Sequence, residues 1–348
     1  MSTTASATAA APATVPSSYS AEKYPSIRFC DAGRDIKLAY ETFGPASSTE
    51  PPLLLVSGLS CQMLIYSTEM CEHLHALTGL QVVRFDNRDV GFSTHLDQVR
   101  VSVLAALAAR DFSSAPYRLA DMADDAAALI RHLATENKLA GPPRAHAVGC
   151  SMGGMIVQEL CLRHPALLAS ATSIMSTCDP SLGRPTSAEV AAIFQRPVPP
   201  PEQEAVVAAG LQVYKVIGGT DSYPGDVPRL RAMFAEGFDR RFDPHGEGRQ
   251  LMAIWSSPPR TAGLKAMPAS LPFLIVHGEL DPLVTLEGGK ATAEAVGAGT
   301  GPNRPDIVVI PQMWHSCPKD LWEQIFQPVA KHIKLTNENS SSGTQAKL

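Results

Sequence analysis

Short apolar runs that alternate with stretches of helical periodicity constrain this chain more than any other feature. Residues 53–56 (LLLV) and 82–85 (VVRF) are short, largely apolar runs, the pattern of strands buried on both faces of a sheet. Between them, 62–77 has helical spacing. The alternation continues with a helix over 118–136, a strand over 145–148, a helix over 153–163 and a strand over 169–175. It resumes with strands at 273–276 and 307–310 around a helix over 287–296, and closes with an amphipathic helix over 320–333. Two strands at 27–32 and 36–42, joined by a Gly-containing turn, precede the series. Within 118–136, Leu119, Met122, Ala126, Leu129, Ile130 and Leu133 recur at helical intervals and predict one buried face. The pattern predicts an α/β fold with a mostly parallel sheet flanked by helices, because each parallel connection must cross back over the sheet.

One block breaks the alternation. Residues 178–267 contain helix-like stretches at 188–194, 201–217, 227–238 and 249–256 and no strand-like run, with a Pro-rich break at 198–201. A helical insertion between two sheet strands predicts a lid over the carboxyl edge of the sheet, where open α/β sheets bind ligands. Its apolar residues, among them Leu211, Val213, Tyr214, Met233, Phe234, Phe238, Met252 and Trp255, predict a preference for apolar or aromatic substrates. The domain reading is therefore a core over 21–177 and 268–335, a lid over 178–267, and two disordered tails. The first tail, 1–20, is dominated by Ala, Ser, Thr and Pro, and the second, 336–348, is polar almost throughout.

Composition narrows the function classes. A net charge of −5 and a pI near 6.1 leave no electrostatic footprint for nucleic acid. No apolar run approaches the ~18 residues of a membrane span. The first twenty residues hold neither a positive segment followed by an apolar one nor any Arg, which predicts no secretory or mitochondrial leader. The seven cysteines include no C-x-x-C pair, so a reducing compartment and cysteines acting as small buried hydrophobes are expected. No H-E-x-x-H, P-loop or G-x-G-x-x-G after a strand occurs, so neither metal nor cofactor is expected.

The chemistry concentrates at Gly149-Cys150-Ser151-Met152-Gly153, followed by Gly154, where a strand ends and a helix begins. Such a turn lifts a serine hydroxyl into the open and places the Met152 N–H at a helix start, aimed at an oxyanion. A serine needs a base, and the base an orienting acid, in the order Ser, Asp or Glu, His. Asp281 follows the 273–276 strand and His315 follows the 307–310 strand. Glu279 on the same loop, and Asp179 after the 169–175 strand, are rival acids. Cys150 flanks the elbow and is expected to point away from the site, while His277 is expected to close a strand end. The loop Ser57-Gly58-Leu59-Ser60 offers the Leu59 N–H as a second oxyanion donor. Residues 84–94 pack two Arg and two Asp at a strand end, read as an ion-paired buttress.

These segments together resemble the aclacinomycin methylesterase-like serine esterases of the α/β-hydrolase superfamily. The resemblance rests on 58–63 (GLSCQM), 84–94 (RFDNRDVGFST), 115–125 (APYRLADMADD), 149–154 (GCSMGG), 286–291 (LEGGKA) and the His315 loop, spread in order over about 25–335. It implies an α/β-hydrolase fold and cofactor-free hydrolysis of a small-molecule ester through an acyl-enzyme on Ser151. Where relatives often carry Gly-Met-Gly-His-Asp, this chain has Gln312-Met313-Trp314-His315-Ser316, a departure that reshapes the pocket. The same triad also serves acyltransferases and thioesterases, and a ligand-sensing receptor can retain it. An epoxide hydrolase or dehalogenase would need Asp at position 151.

The last three residues, Ala346-Lys347-Leu348, resemble the Ser-Lys-Leu peroxisomal address. On a polar tail they predict an import receptor as partner, with a peroxisome-type microbody or the cytoplasm as the location.

Overall fold

A computed structural model describes residues 18–345, with side chains described as far as Glu338. Eight strands form one sheet: β1 (Arg28–Gly33), β2 (Ile36–Phe43), β3 (Leu53–Val56), β4 (Val82–Phe85), β5 (Ala145–Cys150), β6 (Leu168–Ile174), β7 (Phe273–Gly278) and β8 (Val308–Ile310). Their order is β1-β2-β4-β3-β5-β6-β7-β8. β1 with β2, and β2 with β4, are antiparallel, and every later pairing is parallel.

The helices are α1 (Thr68–Thr78), α2 (Val103–Ala109), α3 (Leu119–Glu136), α4 (Met152–Arg163), α5 (Ala188–Ala192), α6 (Gln203–Ile217), α7 (Val227–Arg240), α8 (Gly246–Ser256), α9 (Thr261–Ala266), α10 (Leu286–Val296) and α11 (Trp322–Gln345). Both faces of the central strands are apolar because both are covered. On β3, Leu54 and Val56 join the layer of α3, α4 and α10, while Leu53 and Leu55 join that of α1 and α11. β7 divides in the same period of two, Phe273 and Ile275 to one side and Leu274 and Val276 to the other.

Several boundaries differ from the sequence expectation. The helix expected over 62–77 splits into a single turn at Met63–Ile65 and α1. Ser67 starts α1 by accepting the Met70 N–H at 3.2 Å. The seven-residue α2 is too short for a periodic signal. α9 falls within 178–267 yet packs on α4 and α10, in the core layer.

The two tails need correction where they are described. Tyr19, inside the stretch expected to be disordered, packs edge-on against Phe29 and Phe92, with ring centroids 5.0 and 5.3 Å away. Residues 1–17 lie outside the described residues. The second tail is helical to Gln345, as the continuation of α11. Thr336 is buried and its hydroxyl donates to the His332 carbonyl at 2.9 Å, and the Asn337 amide donates to Glu50 at 3.0 Å. Polar composition concealed a helix propagated from the buried turn around Ile333. Ala346, Lys347 and Leu348 lie outside the described residues. Among the described residues, no helix is long and apolar enough to cross a membrane.

Candidate active site

β5 ends at Cys150, and the next residue, Ser151, has φ 57° and ψ −121° before α4 begins. A non-glycine residue in that region is strained, and such strain collects at functional positions. The flanking glycines permit the crossing: a Cβ on Gly149 would overlap the Gly153 carbonyl, and one on Gly153 would overlap the Val56 carbonyl.

The elbow delivers Ser151 to His315. The serine Oγ lies 2.9 Å from His315 Nε2, and His315 Nδ1 lies 2.6 Å from Asp281 Oδ2. A carboxylate only accepts, so Nδ1 carries the proton and Nε2 accepts from the serine hydroxyl. The other Asp281 oxygen accepts the Leu283 and Val284 N–H groups at 2.9 Å each. His277 is fully buried, and burial pushes it below the usual histidine range. It therefore stays neutral and donates Nε2–H to the Val284 carbonyl at 2.8 Å, bracing the Asp281 loop. The rival acids are placed elsewhere. Asp179 accepts the Ser181 N–H at 2.8 Å, and Glu279 is exposed to solvent.

The Leu59 loop lies against the elbow, where a Cβ on Gly58 would sit 3.4 Å from Ser151 Cβ. Met152 is the first residue of α4, where an N–H has no intrahelical acceptor. The Leu59 loop is tied at both ends. Tyr66 donates to the Val56 carbonyl at 2.9 Å and Asn87 to the Ser57 carbonyl at 3.1 Å. Gln250, fully buried on α8, accepts the Ser60 N–H and donates to the Arg88 carbonyl, both at 2.8 Å. Sequence reasoning missed Gln250, because no motif marks a single amide 190 residues away from its partner.

The charged block 84–94 pairs outward with several elements. Arg84 meets Glu41 on β2, and Arg88 meets Asp125 on α3. Asp86 meets Arg240 on α7, and Asp89 meets Arg249 on α8. Asp89, His95 and Asp243 bring ligand-type atoms within 4.8 Å of one another. The Arg249 guanidinium, however, lies 2.8 Å from both carboxylates and supplies the positive charge there. The donor set therefore fits an ion-pair network rather than a metal.

Two cavities meet above the serine. The inner one, about 130 Å³, holds Ser151 and His315 and is walled by apolar groups such as Ile193, Val213 and Leu283. Burial pushes the Cys61 thiol up to about 12 and raises the Tyr214 phenol well above its usual value, so these two groups are uncharged, while Arg196, Arg229 and Glu247 bring charge to the rim. Cys150 also lines it, contrary to the sequence expectation. As the last residue of β5 it falls on the α1/α11 side of the sheet, with Val148, and that side opens into the cavity. The outer cavity, about 470 Å³, is lined by Met233, Phe234, Phe238 and Phe242 among others. Of the 178–267 residues singled out by sequence, Val213 and Tyr214 line the inner cavity and Met233, Phe234 and Phe238 the outer. Met252 is instead fully buried, and Trp255 packs against Phe112 and Phe194.

A model of the alpha/beta hydrolase family matches residues 53–324. Rhodomycin D methylesterase DauP of Streptomyces sp. (strain C5) is 22% identical over 312 residues, 84% of this chain and 93% of the relative. The esterase RhEst1 from Rhodococcus sp. ECU1013 superposes with a TM-score of 0.62 at 18% identity, covering 89% of this chain and 98% of its own. The enol-lactonase from Burkholderia xenovorans LB400 gives 0.62 at 17% identity, covering 88% and 100%.

Proposed function

Because the chain belongs to the alpha/beta hydrolase family, we propose that it hydrolyses carboxylic esters through an acyl-enzyme on Ser151. The continuous Ser151–His315–Asp281 chain, at 2.9 and 2.6 Å, carries this reading. In the first step His315 Nε2 takes the serine proton as Oγ bonds to the carbonyl carbon. The negative charge that develops on the carbonyl oxygen is held by the Leu59 and Met152 N–H groups. Collapse breaks the bond to the alcohol, which leaves with the proton from His315. Water then adds by the same route, giving up its proton to His315, and the acid departs as Ser151 recovers its hydrogen. Asp281 keeps the imidazole in the required tautomer throughout and stabilises its charged form. Residues 178–267 act as the lid that shapes the substrate cavities.

The substrate is an ester with a compact apolar arm in the inner chamber. Its volume of about 130 Å³ is close to the ~150 Å³ engineered cavity that binds benzene. That DauP is named a methylesterase agrees with one small ester partner. Turnover of a panel of p-nitrophenyl esters tests the reading. Rapid hydrolysis of apolar esters, lost in Ser151→Ala, is expected. Absence of turnover in the wild type would favour the ligand-sensing alternative.

In a chain that ends at Leu348, the Ala346-Lys347-Leu348 tripeptide also serves as an address for a peroxisomal import receptor. A fluorescent protein carrying 336–348 should be punctate and lose its puncta when Leu348 is deleted. A uniform signal from the intact segment rejects it.

A further inference from the structure

The two cavities share five lining residues: Ser60, Cys61, Phe194, Arg196 and Glu247. Ser60 and Cys61 belong to the core loop after β3, whereas Phe194 and Arg196 follow α5 and Glu247 opens α8. The partition between the chambers is therefore assembled where two separate parts of the lid meet the core loop. Arg196 closes it, with a guanidinium nitrogen 2.7 Å from the Glu247 carboxylate across 51 residues of sequence. Its other terminal nitrogen donates to the Ile193 carbonyl, which holds the side chain over the wall.

The two side chains of this pair are 35% and 22% exposed, and ion pairs so open to solvent contribute little to stability. The polar part of the partition is thus its cheapest part to displace. On one side of it lies a small apolar chamber containing the serine, and on the other a larger, aromatic-lined one. An ester arm that outgrows the inner chamber has to pass this wall to reach further apolar surface.

We propose that the Arg196–Glu247 pair sets the length of the apolar ester arm the site accepts, by standing across the passage between the chambers. This rests on the reading of Ser151 as nucleophile. Short arms fit wholly on the serine side. Long unbranched alkyl or acyl arms must part the pair, and so react more slowly than their apolar area alone would allow.

The test compares covalent labelling rates with two fluorophosphonates, one bearing an ethyl and one a dodecyl chain, followed by intact mass. The wild type, Arg196→Ala and Glu247→Ala are compared, since each variant opens the pair from one side. The long-to-short rate ratio should rise by about tenfold in both variants, a change of the size that filling or blocking an apolar pocket produces. An unchanged ratio in variants that still label with the ethyl probe overturns the proposal. Loss of ethyl labelling in both variants overturns it too, because the pair would then be holding the site together rather than selecting by length. A wild type that neither probe labels at Ser151 would instead remove the nucleophile on which the proposal rests.

Discussion

The Ser316 hydroxyl donates to the Gly218 carbonyl at 2.6 Å, one residue beyond His315, whose own N–H donates to the Ile217 carbonyl at 3.0 Å. The histidine loop is thereby bolted to the C-terminal end of α6, within the helical 178–267 block. Tyr223 adds a third tie, to the Gln312 carbonyl at 2.8 Å. Trp314 packs against Gly219 so closely that a Cβ there would meet its indole. The three positions where this loop departs from the Gly-Met-Gly-His-Asp pattern, 312, 314 and 316, are thus all in contact with residues of the 178–267 block.

Ser316→Ala should lower kcat about tenfold with little change in KM, because the imidazole loses its stop while the chambers stay intact. Ser316→Thr keeps the hydroxyl and should restore most of the rate. Equal losses in both variants would mean that the bond to Gly218 does not position His315.

Asp281→Asn should reduce turnover far more than Asp179→Asn. The equivalent change in a serine protease costs about 10⁴ in kcat, whereas Asp179 only accepts the Ser181 N–H in a turn. Steady-state kinetics on one p-nitrophenyl ester decides the order, and the reverse order would move the acid to the loop after β6.

α7 is riveted to the sheet through Asp86, which is fully buried and accepts from Met63 N–H, Phe92 N–H and Arg240. Arg240→Met leaves that carboxylate without its cation and should cost about 3–5 kcal/mol. Arg231→Met, which removes an exposed pair with Glu204, should cost under about 1 kcal/mol. Urea unfolding measures both, and similar midpoints for the two variants would contradict the rivet.

Much of this arrangement is legible in the amino-acid sequence. The elbow, Asp281 and His315 could be read because each follows a strand whose apolar run ends abruptly, and chain order leaves few candidates. The ties that hold them could not. Gln250 acts through hydrogen bonds across 190 and 162 residues and Ser316 through one across 98, and pairing at that range leaves no periodicity or spacing. The helical course of 336–345 was hidden for a different reason: its polar residues carry no apolar stripe of their own, and continuity with Ile333 decides their state.

Buried histidines contribute to the acid limb of stability, His146 and His332 most clearly. Burial pushes His146 down to about 3 and His332 to about 4, so both are neutral in the folded chain, while unfolded histidine titrates near 6.5. Between those values the unfolded state binds protons that the folded state does not, so stability is complete above about pH 6.5 and falls as pH drops toward 4. The slope should approach about 1.4 kcal/mol per pH unit for each histidine. His332→Gln should flatten it by about one proton in urea unfolding between pH 6.5 and 4.5, and an unaltered slope would contradict the assignment.

The most direct test of the account is the identity of the acylated residue. The wild type is mixed with a p-nitrophenyl carbamate, whose product leaves the enzyme slowly, and the modified peptide is located by mass spectrometry. The adduct should sit on Ser151, release of p-nitrophenol should match it one to one, and Ser151→Ala should form none while losing ester turnover by a factor on the order of 10⁶. An adduct on any other residue, or a Ser151→Ala protein keeping a tenth of the wild-type rate, would contradict it.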